Sequence, residues 1–218
     1  SDDVAGVYVD GNTIYAATGF DYYGGSGGVS ISTDGGTTFT NYTTGLLSTN
    51  VRGVYASGGT VYAATYGRAN DGGLSISTNG GTTFTNYTKE NTGGGLGSND
   101  VQGVYAVGST IYAATAGGLS ISPDGGTTFF NRTVDNSGLG SNSVLGVYAV
   151  GSTVYAATTG GLSISTDGGM TFTTYTTADG LGNNVVFGVY ASGSTVYAGT
   201  NGFGGGGGLS INQTTGPT

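Results

Sequence analysis

A five-fold internal repeat constrains this chain more than any other feature. Val-x-Gly-Val-Tyr begins at Val4, Val51, Val101, Val144 and Val186. A Tyr-Ala-Ala-Thr-like run follows each start, at Tyr15, Tyr62, Tyr112, Tyr155 and Tyr197. Then comes Gly-Gly-Leu-Ser-Ile-Ser or a near copy, ending at Ser32, Ser77, Ser122, Ser165 and Asn212. The spacing of about 42 to 50 residues is that of repeat architectures such as propellers. Whatever the repeat leaves unexplained is where function should be sought.

Each repeat reads as short strands. In the clearest copy, Val144-Leu-Gly-Val-Tyr-Ala-Val150, Thr153 to Thr158, Leu162-Ser-Ile-Ser165 and Thr171 to Thr176 are rich in β-branched and aromatic residues. Gly, Ser and Asp brackets separate them, and no 3.6-residue periodicity appears. The reading is all-β: a five-bladed β-propeller of about four-stranded antiparallel blades, forming a single domain over 1–218. The repeats fall at about 4–43, 51–88, 101–133, 144–176 and 186–218. Gly6, Gly53, Gly103, Gly146 and Gly188 sit inside the first strand, where glycine ordinarily destabilises by about 0.5–1 kcal/mol. Repeating that choice five times implies close backbone approach where the inner strands of a ring converge.

The strand tally is uneven. Four repeats carry a Thr/Phe/Tyr-rich fourth strand, whereas the fifth runs Ser210-Ile-Asn-Gln-Thr-Thr-Gly-Pro217-Thr218 and has none. The fifth blade is therefore expected to lack its outer strand within this chain. Leu209, Ser210, Ile211 and Asn212 would then line an open edge, a slot for a strand from another chain.

Two resemblances lie in these residues. Ser32-Thr-Asp34-Gly-Gly36-Thr-Thr38-Phe39 resembles the Asp-box hairpin of sialidase-like (BNR) propellers. It recurs from Ser77 to Phe84 (with Asn79 for Asp), Ser122 to Phe129 and Ser165 to Phe172. Gly138-Leu-Gly-Ser-Asn142-x-Val144 and Tyr155-Ala-Ala-Thr-x-Gly-Gly-Leu162 are similar to the propeller repeats of two-component regulators. Both imply a propeller fold and say little of activity. The turn carboxylates Asp34, Asp124 and Asp167 read as acceptors for nearby backbone N–H groups rather than calcium ligands, since Asn79 serves in one copy.

Composition removes several function classes. There is no Cys and no His, so thiolate chemistry, His general bases and soft-metal sites are not expected, and no cofactor is implied. The net charge is −8, and Arg52, Arg68, Lys89 and Arg132 are the whole basic complement, too few for a nucleic-acid partner. No apolar run reaches the roughly 18 residues of a membrane helix, so direct membrane insertion is not expected. A sialidase-like activity implies clustered arginines and a Tyr/Glu pair, but the three arginines occupy unrelated repeat positions and Glu90 lies in a linker. Asp21, Asp71, Asp100 and Asp179 are nominal carboxylates for a glycosidase, in no distinctive motif. The chain reads as a non-enzyme. A neutral, hydroxyl-rich surface suits an extracellular or cell-surface setting, without Cys a prokaryotic one. The absence of an apolar leader before Ser1 is read as a signal peptide already removed.

Aromatics outside the repeat gather where the second strand joins the third: Phe20, Tyr22, Tyr23, Tyr66 and Phe203, with Arg68 beside them. These connections vary in length and share one face of a propeller, the usual place for binding. The residue after the first Val also varies (Ala5, Arg52, Gln102, Leu145, Phe187) and should lie near the same rim. Phe20, Tyr22, Tyr23, Arg52, Tyr66, Arg68, Phe187 and Phe203 are thus the expected ligand or partner face. Asn41, Asn86, Asn131 and Asn212 match the glycosylation sequon. The leading reading is a structural or adhesive module that self-associates, into filaments or with another surface protein, through the incomplete blade or the aromatic face. The alternatives are a glycan-binding propeller using that face, and a sensor domain of a larger regulator.

Overall fold

The computed structural model describes residues 3–19, 27–67, 71–202 and 207–213. They form five antiparallel sheets, each built from one repeat. Blade 1 contains β1 (Val4–Asp10), β2 (Thr13–Thr18), β3 (Gly28–Ser32) and β4 (Thr40–Tyr42). Blade 2 contains β5 (Val51–Ser57), β6 (Thr60–Thr65), β7 (Gly73–Ser77) and β8 (Thr85–Tyr87). Blade 3 contains β9 (Val101–Val107), β10 (Thr110–Thr115), β11 (Gly118–Ser122) and β12 (Phe130–Arg132). Blade 4 contains β13 (Val144–Val150), β14 (Thr153–Thr158), β15 (Gly161–Ser165) and β16 (Thr173–Tyr175). Among the described residues blade 5 has β17 (Val186–Ser192), β18 (Thr195–Thr200) and β19 (Gly208–Gln213), three strands where the others have four, in line with the strand tally. Two single-turn helices, Val134–Ser137 and Thr177–Asp179, lie in the linkers that follow blades 3 and 4.

Every first strand carries a β-bulge before its glycine, visible as a register slip at Val4/Gly6, Val51/Gly53, Val144/Gly146 and Val186/Gly188, and opposite Ala114/Thr115 in blade 3. The extra residue is the variable one: Ala5, Arg52, Gln102, Leu145 or Phe187. A bulge re-aims its side chain out of the sheet and leaves it free of the pairing register, so the repeat tolerates any residue there.

The core lies between blades, not within them. Four apolar clusters are present among the described residues, each shared by two consecutive blades. Tyr15, Ala17, Val29 and Ile31 of blade 1 meet Val51, Ala56, Val61, Ala63 and Phe84 of blade 2, and the same positions recur at each later junction, except that no Phe joins the cluster between blades 4 and 5. Successive first-strand tyrosines form a ladder, with ring centroids 4.5 Å apart for Tyr8–Tyr55 and Tyr55–Tyr105 and 5.0 Å for Tyr105–Tyr148 and Tyr148–Tyr190. Burial pushes the Tyr105 phenol up to about 12, with the neighbouring Tyr148 adding to the effect.

The structure departs from the expected ring at one point. β1 packs on β5, β5 on β9, β9 on β13 and β13 on β17, but β17 and β1 do not pack on each other in this way. The five blades form an open arc. The inner-strand glycines record it: a Cβ on Gly53 would stand 3.3 Å from the Gln102 carbonyl and from Gly103 Cα, and one on Gly146 3.1 Å from the Phe187 carbonyl. Gly188, at the same position in blade 5, has nothing within 4 Å. The steric need for glycine therefore exists only where another blade follows.

This contrast gives opposite outcomes for one substitution. Gly53→Ala should destabilise the chain by about 1–2 kcal/mol through backbone crowding. Gly188→Ala should stabilise it by about 0.5 kcal/mol through reduced freedom of the unfolded chain. Urea unfolding of the two variants beside the parent checks both signs.

Candidate functional site

The connections expected to share a face do so. Backbone bonds from Tyr66 to the Asn50 carbonyl, Ala116 to Asp100, Thr159 to Ser143 and Asn201 to Val185 tie each second-to-third-strand loop to the start of its first strand. On the opposite face, Gly80 bonds the Gly59 carbonyl, Gly125 that of Ser109 and Gly168 that of Ser152.

On the first face, the structure brings together part of the expected rim. Arg52, the bulge residue of β5, lays its guanidinium over the Tyr66 ring at 3.8 Å from the centroid. Arg52 Nη1 also donates to Asp100 Oδ1 at 3.0 Å, and Gln102 Nε2, from the bulge of β9, donates to the same oxygen at 2.9 Å. Burial pushes the Asp100 carboxyl up, and the Arg52 charge opposes that shift. Gln102 is one of the variable residues expected near this rim, whereas Asp100 is not among the expected rim residues, because the signal for it is contact across blades. Phe187, the bulge residue of β17, is exposed. Phe20, Tyr22, Tyr23, Arg68 and Phe203 lie outside the described residues.

The turn carboxylates act as hydrogen-bond hubs. Asp34 Oδ1 accepts from Ser32 Oγ at 2.7 Å and from the Thr38 amide at 2.9 Å, and Oδ2 accepts from Thr38 Oγ1 at 2.7 Å. Asp124 and Asp167 repeat the pattern. Asn79 reproduces it with its amide donating to Thr83 Oγ1 at 2.8 Å. Gly35 and Gly36 close the first turn at φ of 72° and 95°, angles open to glycine at no steric cost. No group of three metal-ligating side chains occurs among the described residues.

The sequon asparagines have a packing reason to recur. Asn86 Oδ1 accepts from Ser75 Oγ at 2.6 Å, and its Nδ2, the atom a glycan would occupy, donates to the Gly45 carbonyl at 2.7 Å. Asn41 and Asn131 use both amide ends in the same manner, bonding the Gly27 and Gly117 carbonyls. Thr174 takes the position in blade 4, sharing a 2.8 Å bond with Ser163. Asn212 is exposed on β19. Of the nominal catalytic carboxylates, Asp179 caps the Thr176 amide and Asp100 holds Arg52. Glu90 accepts from Asn99 Nδ2 at 2.8 Å. Asp71 is exposed, and Asp21 lies outside the described residues.

Apolar side chains stand exposed at the two ends of the arc. Leu209 is 64% exposed and Ile211 57%, whereas Leu74 and Leu119 at the equivalent of Leu209 are fully buried. Tyr190, the last ring of the ladder, is also exposed. At the other end Val4, Val7, Val9 and Phe39 are about half exposed, while their counterparts Val51, Val104, Ala56 and Phe84 are buried. Leu209 to Asn212 pair with β18 on one side, and no further strand pairs with β19 among the described residues.

Acid should weaken the hairpin hubs. Hydrogen bonds from Thr38 and Ser32 hold Asp34 well below the usual carboxylate range, and the same kinds of donor lower Asp124 and Asp167. A carboxylate whose folded pKa is depressed contributes stability that is complete above its unfolded value and lost as pH falls below it, from about pH 4 downward. Asp34→Asn, Asp124→Asn and Asp167→Asn combined should leave neutral-pH stability nearly unchanged and flatten the acid limb, as Asn79 already does in blade 2. Thermal melts from pH 7 to pH 2 check this.

No family model and no curated protein matches the sequence. Solved structures do resemble its fold. The extracellular domain of a hybrid two-component system from B. thetaiotaomicron matches at 19% identity and a TM-score of 0.75, covering 96% of this chain and 27% of its own. An ancestral GH74 enzyme matches at 23% identity and a TM-score of 0.68, over 89% of this chain and 27% of the enzyme. YCF48 from Cyanidioschyzon merolae matches at 16% identity and a TM-score of 0.62, over 98% of this chain and 68% of its own. The chain thus spans about a quarter of the first two and about two thirds of the third, and what it shares with all three is the propeller-like fold.

Proposed function

We propose that this chain is a non-catalytic propeller module of an extracellular or cell-surface setting that works by associating with other protein through its terminal blades. The observation that carries this reading is the exposure of Val4, Val7, Val9 and Phe39 at one end and Tyr190, Leu209 and Ile211 at the other. Isolated apolar side chains on a surface are ordinary, but contiguous sheet faces of them mark interaction sites. Full burial of such a side chain is worth about 1.5–3 kcal/mol. Seven half-covered ones together are of the same order as the roughly 4–15 kcal/mol cost of association. Reversible, concentration-dependent association is the expected regime. The open edge of β19 adds less: outer strands in the other blades pair at only three positions each.

A second reading, ligand sensing or glycan binding, is supported by the bulge rim. Arg52, Gln102 and the exposed Phe187 stand at strand bulges on the loop face, with Tyr66 in the adjoining loop, an arrangement suited to stacking and hydrogen bonding. The fold likeness to an extracellular domain of a two-component system fits this reading. A glycan array probed with the parent chain and with Tyr66→Ala tests it; binding lost in the variant supports it.

For the leading reading, sedimentation velocity across a concentration series should show mass increasing with concentration for the parent chain. Leu209→Glu with Ile211→Glu should abolish the increase without changing the circular dichroism spectrum. A parent chain that remains a single monomeric species throughout removes this reading.

A further inference from the structure

Resting on the reading of the chain as an associating module, we propose that its partner is a second copy of itself, docked head to tail. The β17–β18–β19 face of one copy would cover the β1–β2 face of the next. The four junctions inside the chain supply the template. In each, Tyr, Tyr, Leu or Val, and Ile on the trailing face of one blade meet two Val on the leading face of the next, joined in the first three by Phe84, Phe129 or Phe172 and in all four by a linker leucine, Leu46, Leu96, Leu139 or Leu181. Blade 5 presents Tyr190, Tyr197, Leu209 and Ile211 on its trailing face, the same residues at the same repeat positions. Blade 1 presents Val4, Val7 and Phe39 on its leading face, again the repeat's own residues. Among the described residues the two free ends thus carry the strand residues of both halves of a junction the chain already makes four times, without its linker leucine.

The backbone permits the same approach. Gly188 has open space where the other inner-strand glycines of the chain meet the bulge carbonyl and glycine of the following blade. Ala5 and Gly6 of a second copy would fill that space, and Tyr8 of that copy would continue the tyrosine ladder beyond Tyr190. A tail-to-tail pair would instead set two trailing faces against each other, a pairing found at none of the four internal junctions. Because the two surfaces differ, the contact is heterologous and generates a ring or an open polar array according to its rotation. Leu209, Ile211, Val4 and Val7 carry no charge while each copy has a net charge of −8, so added salt should strengthen the association or leave it unchanged.

Single-end variants test the polarity. Gly188→Leu blocks the trailing face at a position where an added Cβ meets nothing within 4 Å. Val7→Glu blocks the leading face at a position already 60% exposed. Ile211→Glu is a second trailing-face variant, in case the leucine perturbs β17. Light scattering coupled to size exclusion should show the parent growing beyond a dimer with concentration and each variant alone as a monomer. An equimolar mixture of Gly188→Leu with Val7→Glu should stop at dimers, since one intact face remains on each. A dimer formed by Val7→Glu alone, or large assemblies surviving in either variant, overturns the head-to-tail arrangement while leaving self-association standing. A parent chain that never leaves the monomer removes both.

Discussion

The contact between successive blades is the interaction on which the rest of the structure depends. No sheet here has a core of its own; every fully buried Val, Leu or Ile belongs to a cluster that two blades share. The sheet of one blade must lie close against the bulged inner strand of the next, and the glycine at Gly53 and Gly146 makes that approach sterically tolerable. Stability is then approximately a sum of nearest-neighbour terms, as in other repeat proteins. The end blades have one such neighbour each, and blade 5 also has the fewest strands.

With the apolar residues committed to these junctions, the periphery is held by short polar side chains. Each of the first four blades fastens its far turn through one Ser and one Asp or Asn. Each fastens its outer strand through Ser against Asn or Thr. The linkers bond inward too: the amides of Gly97, Gly140 and Gly182 donate to Ser120, Ser163 and Ser210. Seven per cent charged residues suffices because these hydrogen bonds, most of them between neutral groups and each worth about 1 kcal/mol, take the place of ion pairs across the surface. Among the described residues the Arg52–Asp100 ion pair bridges two blades where a bulge frees a side chain from the repeat.

Strands and their tally were legible in the sequence because β-branched runs and glycine-rich turns are local signals, repeated five times. The missing outer strand was legible for the same reason: the Thr-Phe-Thr run that precedes it is absent after Ile211. The opening of the arc was not. Gly188 and Gly6 read identically to Gly53, and closure depends on the angle accumulated across five junctions, which no single repeat encodes. The variable position of the first strand stood out as irregular, but its cause, the bulge, is visible only in the pairing register. The sequons show the opposite failure. Asn-x-Thr was conspicuous as a motif, while the Ser-to-Asn and Asn-to-carbonyl bonds that explain Asn41, Asn86 and Asn131 join residues that sequence spacing does not place together.

Repeat arrays that end in water ordinarily close their terminal units with polar outer faces. This arc does not. Phe39 keeps the identity of Phe84 and Phe129, Val4 that of Val51 and Val101, and Leu209 and Ile211 that of Leu74 and Ile76. Substituting Ser, Thr or Lys at these points would leave the four internal junctions intact, since none of them uses these particular side chains. Their apolar character therefore contributes nothing to the arc as it stands, and exposing it costs solubility. The residues are those of an interior face, and they gain a physical role only when another blade of the same pattern lies against them.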